Sequence, residues 1–127
     1  MSDEAMAATA TVLEWAGIEV ERFGNHATRR RVMGERVMLA RFEFEPGFEV
    51  SPHVHENEQI SVVESGHLLF TVGTIGTDEL REESVRAGQL IVLPSNVPHG
   101  AKAIEPSVVY DLFSPPSEKT GIDQQAE

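Results

Sequence analysis

The stretch Arg36 to Gly47, RVMLARFEFEPG, constrains the fold more than any other. In an extended chain, Met38, Ala40, Phe42 and Phe44 share one face, and Val37, Leu39, Arg41 and Glu43 share the other. A period of two reads as a strand, and Pro46-Gly47 ends it with a turn signal. Both faces are partly apolar. That suits a strand lining a barrel on one side and meeting a second sheet or subunit on the other.

The same grammar recurs along the chain. Residues 17–24, GIEVERFG, alternate and close on Gly24-Asn25, and residues 28–33, TRRRVM, form a further strand before Gly34. Apolar runs on either side of Ser65-Gly66 predict a hairpin. Residues 78–85, DELREESV, are polar and lie between turn signals, which favours a strand across an exposed edge. QLIVLP is expected as a buried strand ended by Pro94, followed by AKAI and VVYDLF, and Pro115-Pro116 stops the sheet. Residues 7–17, AATATVLEWAG, could be a short helix or a first strand, with Trp15 as a packing anchor. In all, roughly nine or ten short strands are predicted at intervals of about 8–12 residues, with no convincing amphipathic helix, the pattern of an all-β sandwich or barrel. A single domain over residues 1–127 is expected. Its barrel spans about 17–114, and the ends, 1–10 and 117–127, are loose.

Composition narrows the partners. The chain has 10 basic and 21 acidic residues and a formal charge of −11. Such a surface repels phosphate backbones and anionic membranes, so no nucleic acid and no membrane is expected as a partner. An anionic substrate then needs a local positive centre. The only basic cluster is Arg29-Arg30-Arg31, which reads either as ion pairs with the many acids or as a contact to a carboxylate-bearing ligand. With no cysteine, disulfides and thiolate metal sites are excluded. No run approaches a membrane span, the N-terminus lacks signal-peptide character, and a cytoplasmic location is expected.

The chemistry concentrates in GFEVSPHVHENEQISVVESG, Gly47 to Gly66. His53 and His55 lie two apart, so a strand aims both imidazoles to one side. Gln59 follows with a neutral carbonyl oxygen, and His99 waits in VLPSNVPHG. Three imidazoles and one amide oxygen form a plausible cup for a divalent transition metal when thiolates are missing. Zn, Ni, Fe, Mn and Co all suit that set. His26 and His67 are expected to face solvent.

These segments carry a resemblance. Gly47, five residues, His53-Val54-His55, three residues, Gln59, six residues and Gly66 resemble the first motif of the cupin superfamily. Gly88, five residues, Pro94 and then His99 resemble the second. The similarity covers roughly residues 36 to 113 and implies a double-stranded β-helix, that is, a jelly-roll barrel with a metal at its centre. The sequence departs from the family at Gln59, where a glutamate is usual. Asn96 replaces a glycine, and asparagine tolerates positive φ. No asparagine follows His99 at the usual distance.

HVHENEQISVVESG, VLPSNVPHG and VVYDLFSPP together look like the small cupins that convert 4,5-unsaturated uronates to linear keto sugar acids. That resemblance implies His53, His55, Gln59 and His99 as metal ligands, with Asp111 and Phe113 as pocket residues. The alternation of VVYDLF agrees in part, since Val109, Asp111 and Phe113 share a face. Asp111 then reads as a pocket acid or base, or else as a surface or ion-paired residue; Tyr110 reads as packing. The subgroup's arginine after the two prolines is Ser117 here, so Arg41 or one of Arg29, Arg30 and Arg31 has to take its place, or the substrate is not a uronate.

The function expected is a metal-dependent enzyme acting on a small oxygenated acid, through enol–keto conversion or ring opening of an unsaturated sugar acid. A non-catalytic binding or sensing cupin and an Fe(II)-dependent oxygenase are the alternatives. A homodimer pairing N-terminal strands is expected from the partly apolar outer faces.

Overall fold

The computed structural model describes residues 9–126. A short 3-10 turn at Trp15–Gly17 leads into ten strands: β1 (Glu21–Phe23), β2 (Ala27–Met33), β3 (Met38–Phe44), β4 (Glu49–His53), β5 (Glu58–Ser65), β6 (His67–Val72), β7 (Arg81–Arg86), β8 (Leu90–Leu93), β9 (His99–Ala103) and β10 (Ser107–Ser114). A helix, α1 (Gly121–Ala126), closes the chain. All strand pairs are antiparallel. The six-stranded sheet runs β1-β2-β3-β10-β5-β8 and the four-stranded sheet β4-β9-β6-β7. The all-β jelly roll expected from the sequence is the fold observed.

The core lies between the two sheets. Met38, Ala40 and Phe42 on β3, Val63 on β5 and Val109 and Phe113 on β10 face Leu68, Phe70 and Val72 on β6, and all are buried. Their burial supplies the main force holding the sheets together. The alternation of RVMLARFEFEPG is thereby confirmed. Leu39 is 36% exposed on the outer face, against 0% for its neighbours Met38 and Ala40. Trp15 packs as expected, tilted against Tyr110 with ring centroids 6.0 Å apart.

Four expectations need correction. Ser65-Gly66 is not a hairpin turn. β5 pairs with β10 and β8, whereas β6 pairs with β9 and β7, so the chain turns a corner from one sheet to the other. Gly66 has φ +92°, and a Cβ there would overlap Ser107 and the carbonyl of Pro106, so the corner needs glycine. QLIVLP is not a buried strand: β8 is an edge paired only with β5, and Leu90 and Val92 are more than half exposed. His67 is buried, not solvent-facing, because β6 lies inside its sheet and the ring reaches Ser84 Oγ at 3.0 Å.

The fourth concerns the C-terminus. The sequence predicts loose residues over 117–127, yet Thr120, Gly121 and Ile122 are buried and Asp123 is ion-paired to Arg29. Burial of an isoleucine and a bidentate ion pair anchor this segment. The loose N-terminus falls on residues 1–10, of which 1–8 lie outside the described residues. The polar segment after Asp78 does form an edge strand, β7, beginning at Arg81. His26 is exposed, beside Glu45.

Candidate metal centre

β4 and β9 pair so that His53 lies opposite His99. His55 follows β4 by two residues, and Gln59 sits on β5, opposite Leu93 of β8 and Phe113 of β10. β4 with the turn after it, β5 and the distant β9 thus bring the four predicted groups together. One nitrogen from each of His53, His55 and His99 lies within 4.8 Å of the others. The ring centroids of His53 and His99 are 4.5 Å apart, and those of His55 and His99 are 4.9 Å apart.

The hydrogen bonds decide which nitrogens are available. Nδ1 of His53 stands 2.8 Å from the carbonyl of Ser51, Nδ1 of His55 3.0 Å from that of Asn57, and Nδ1 of His99 3.0 Å from that of Val97. A carbonyl only accepts, so each Nδ1 carries a proton and, in the neutral form that a metal requires, each ring offers an Nε2 lone pair. Backbone carbonyls that set the tautomer in this way are the usual support of metal-binding histidines. His99 Nε2 is buried and has no partner. His55 Nε2 faces Gln59 Oε1 at 3.1 Å. Two lone pairs then point at each other, an arrangement that a cation between them relieves. The donor set therefore fits a divalent transition metal.

Burial holds two of the imidazoles neutral. It lowers the pKa of His99 to about 4, with His53 and His55 adding repulsion, and it lowers that of His53 as well. Neutral rings are what a metal requires.

Beside the histidines, β10 aims Val109, Asp111 and Phe113 inward. Asp111 Oδ1 is shut from solvent without a partner, so the surface and ion-pair readings of this residue fall. Burial raises its pKa to about 7, against the opposing effect of the Ser61 hydroxyl. Gln59 Nε2 donates to Ser61 Oγ at 2.9 Å and to Asp111 Oδ2 at 3.3 Å. Phe113 packs edge-on to His55 with centroids 5.9 Å apart. Asn96 adopts φ +63° in the loop before His99, as its side chain permits.

Sequence reasoning missed several neighbours. Ser61 lies two residues after Gln59 on the same strand face, a spacing that could have revealed it. Thr120, Gly121 and Ile122 also line the cavity, and nothing in the polar sequence around them signals that. Three of the four candidate arginines are engaged by groups of this chain. Arg41 turns outward to Glu43 and Tyr110, and Arg31 pairs with Glu21 and the carbonyl of Glu118. Arg29 is 1% exposed, on the inner face of β2, between Glu21 and Asp123. Ser117 donates to the carbonyl of Lys119 within its own turn.

A sequence profile of the cupin domain matches residues 40–113. No curated protein matches the chain. Among solved structures, KdgF from Halomonas sp. superposes with a TM-score of 0.76 at 26% identity, over 87% of this chain and 97% of that one. An RmlC-like cupin from Shewanella frigidimarina gives 0.74 at 24% identity, over 87% and 95%. A mutant of the Bacillus subtilis oxalate decarboxylase OxdC gives 0.74 at 18% identity, over 91% of this chain and 33% of the decarboxylase. The last two share the fold. The chain spans about a third of the decarboxylase's length. Among the described residues, no helix is long and apolar enough to cross a membrane.

Proposed function

The chain belongs to the cupin domain family, and from that premise we propose that it is a metal-dependent enzyme acting on a small oxygenated acid. The reaction class we infer is enol–keto conversion with ring opening of an unsaturated uronate. The observation that carries this reading is Asp111, a half-buried carboxyl with one oxygen shut from solvent and a pKa raised to about 7, one amide away from three clustered imidazoles.

A bound divalent metal at His53, His55, Gln59 and His99 would supply Lewis-acid polarisation of a substrate oxygen. Because Gln59 is neutral, that ion would keep its full positive charge. The remaining roles fall to side chains of this protein. Conversion of an enol to a ketone removes a proton from oxygen and adds one to carbon, with no co-reactant. A carboxyl poised near neutrality can hold that proton and return it, which is the requirement for general acid–base catalysis. Gln59 fixes the Asp111 carboxylate through its amide nitrogen. Phe113 offers an apolar face for a sugar ring. The segments HVHENEQISVVESG, VLPSNVPHG and VVYDLFSPP, which resemble those of the uronate-linearising cupins, support the substrate class.

The test is direct. Unsaturated galacturonate and guluronate are incubated with protein loaded in turn with Zn, Ni, Mn, Co or Fe(II), following loss of the unsaturated absorbance. Turnover with at least one metal, lowered about 100-fold or more by Asp111→Ala at unchanged metal content, is expected. Rates equal to buffer with every metal would sink the reading. Ligand-induced stabilisation without turnover would instead favour a binding cupin, and oxygen consumption with Fe(II) an oxygenase.

A further inference from the structure

The cavity beside the histidines is too small for the substrate just proposed. Its volume is about 50 Å3, room for little more than water, whereas ligand pockets typically measure about 300–1,000 Å3. The chain's own C-terminal segment takes up the space. Gly121 lies flat against His53, so closely that a Cβ would overlap the ring's Nε2 and Cε1. That is the edge of the imidazole offered to a metal. Ile122, 4% exposed, fills the cavity wall next to it.

One residue further on, Asp123 fastens this segment. Its Oδ2 accepts from Arg29 Nη1 at 2.8 Å and its Oδ1 from Arg29 Nη2 at 2.9 Å. This is a bidentate fork, the geometry with which arginine recognises carboxylates in general. Arg29 is held from its other side by Glu21, at 3.0 Å through Nε and 2.8 Å through Nη2. Arg31 joins Glu21 at 2.9 Å. Two guanidiniums and two carboxylates make the cluster neutral. Withdraw the segment, and Asp123 takes one negative charge away. Arg29 is left with an unfilled fork and the cluster with a net positive charge, in a molecule whose overall charge is −11. Glu21 alone then serves both guanidiniums, and a buried excess charge is costly, so the vacated side of the fork favours another anion.

Arg29 lies outside the present lining of this cavity but stands opposite Phe42, which lines it. We propose that Arg29 becomes the carboxylate-binding residue of the cavity once residues 120–126 swing out, and that Asp123 fills its fork as an internal stand-in that an acidic ligand displaces. The exchange keeps the cluster neutral and enlarges the cavity in one movement. It supplies the local positive centre that a protein of formal charge −11 needs for an acidic ligand. The identity of the ligand as a sugar acid rests on the function proposed above; the carboxylate exchange does not.

The experiment follows amide hydrogen exchange of residues 121–126 in the full-length chain with acetate, acetamide, galacturonate or galactose at matched concentrations. Acetate and galacturonate should speed exchange by about tenfold or more, and the two uncharged controls should not. By calorimetry, Asp123→Asn should bind galacturonate about tenfold more tightly, because the competitor for the fork is gone. Glu21 keeps Arg29 paired in that variant, so the fold is retained. Arg29→Gln combined with Asp123→Asn should erase the preference for galacturonate over galactose. Unchanged exchange with both carboxylates, or an unchanged galacturonate affinity in Asp123→Asn, would overturn the proposal. Opening by acetate but not galacturonate would keep the carboxylate fork and remove the sugar-acid reading.

Discussion

Gln59 and Asp111 meet across β5 and β10, the amide nitrogen donating to the carboxylate at 3.3 Å. The same amide donates to Ser61 at 2.9 Å. With its nitrogen held on that side, Gln59 has only its carbonyl oxygen to turn towards His55. One side chain therefore orients an acid–base group with one end and completes a metal-binding set with the other. A glutamate could do only the second.

Gln59→Glu tests this double role. A carboxylate among three neutral imidazoles should bind Zn(II) about tenfold or more tightly. It should also repel Asp111 and lower the charge of the bound ion, so turnover should fall about 10- to 100-fold. Competition with a chromophoric chelator reads the first effect and steady-state kinetics the second. Tighter binding with undiminished turnover would remove the argument for a neutral ligand.

Removing His99 should remove the metal. His99→Ala takes away a buried, unpartnered Nε2 and leaves two imidazoles and an amide. Metal content after dialysis should fall from about one equivalent to a small fraction of it, with the strand content unchanged by circular dichroism. Full retention of metal would place the ion elsewhere.

Asp111 has a signature in metal-free stability. Its pKa is raised to about 7 in the fold from the ordinary 3.8. Between those values the native protein holds a proton that the unfolded chain releases, so this residue's contribution to stability falls as pH rises from about 4 to about 7. Asp111→Asn does not titrate. Its melting temperature should match the metal-free wild type near pH 4 and exceed it near pH 8. A gap that does not widen with pH would show that the carboxyl is not desolvated.

Gly121→Ala should unlatch the C-terminus without unfolding the barrel. The new Cβ cannot share space with the His53 ring, so residues 120–126 have to shift away from it. Trypsin cleavage after Lys119 should then quicken by about tenfold or more, while the core amides of β3 and β10 keep their protection. Equal cleavage rates would show that the contact with His53 is easily relieved.

Gly66→Ala, by contrast, should weaken the whole fold. Its Cβ would meet Ser107 and the Pro106 carbonyl at φ +92°, at a corner tied into both sheets. A loss of roughly 2–4 kcal/mol by urea denaturation is expected.

Much of this was legible in the chain itself. Strict alternation at Met38, Ala40, Phe42 and Phe44 dictates a strand with one buried face, because side chains two apart must share a side. The inward turn of Val109, Asp111 and Phe113 follows the same rule. His53 and His55 do converge, but His55 lies two residues past the end of β4, so strand alternation alone does not place it. What local pattern cannot encode is which strands lie beside which. A hairpin and a corner between sheets carry the same residues around Ser65-Gly66, and only the pairing of β5 with β10 and of β6 with β9 separates them. QLIVLP looks buried by composition, yet it is an edge, because exposure depends on what the other strands leave uncovered. The convergence of His99 on His53 needs β9 beside β4. The C-terminal plug needs more still: Thr120 to Asp123 carry no periodicity, and their burial depends on His53 and Arg29, 68 and 94 residues distant. Periodicity, a property of neighbours along the chain, fixes which way each side chain points; partners distant in sequence are chosen by the packing of two sheets and the neutralisation of buried charge, which exist only once the chain has closed on itself.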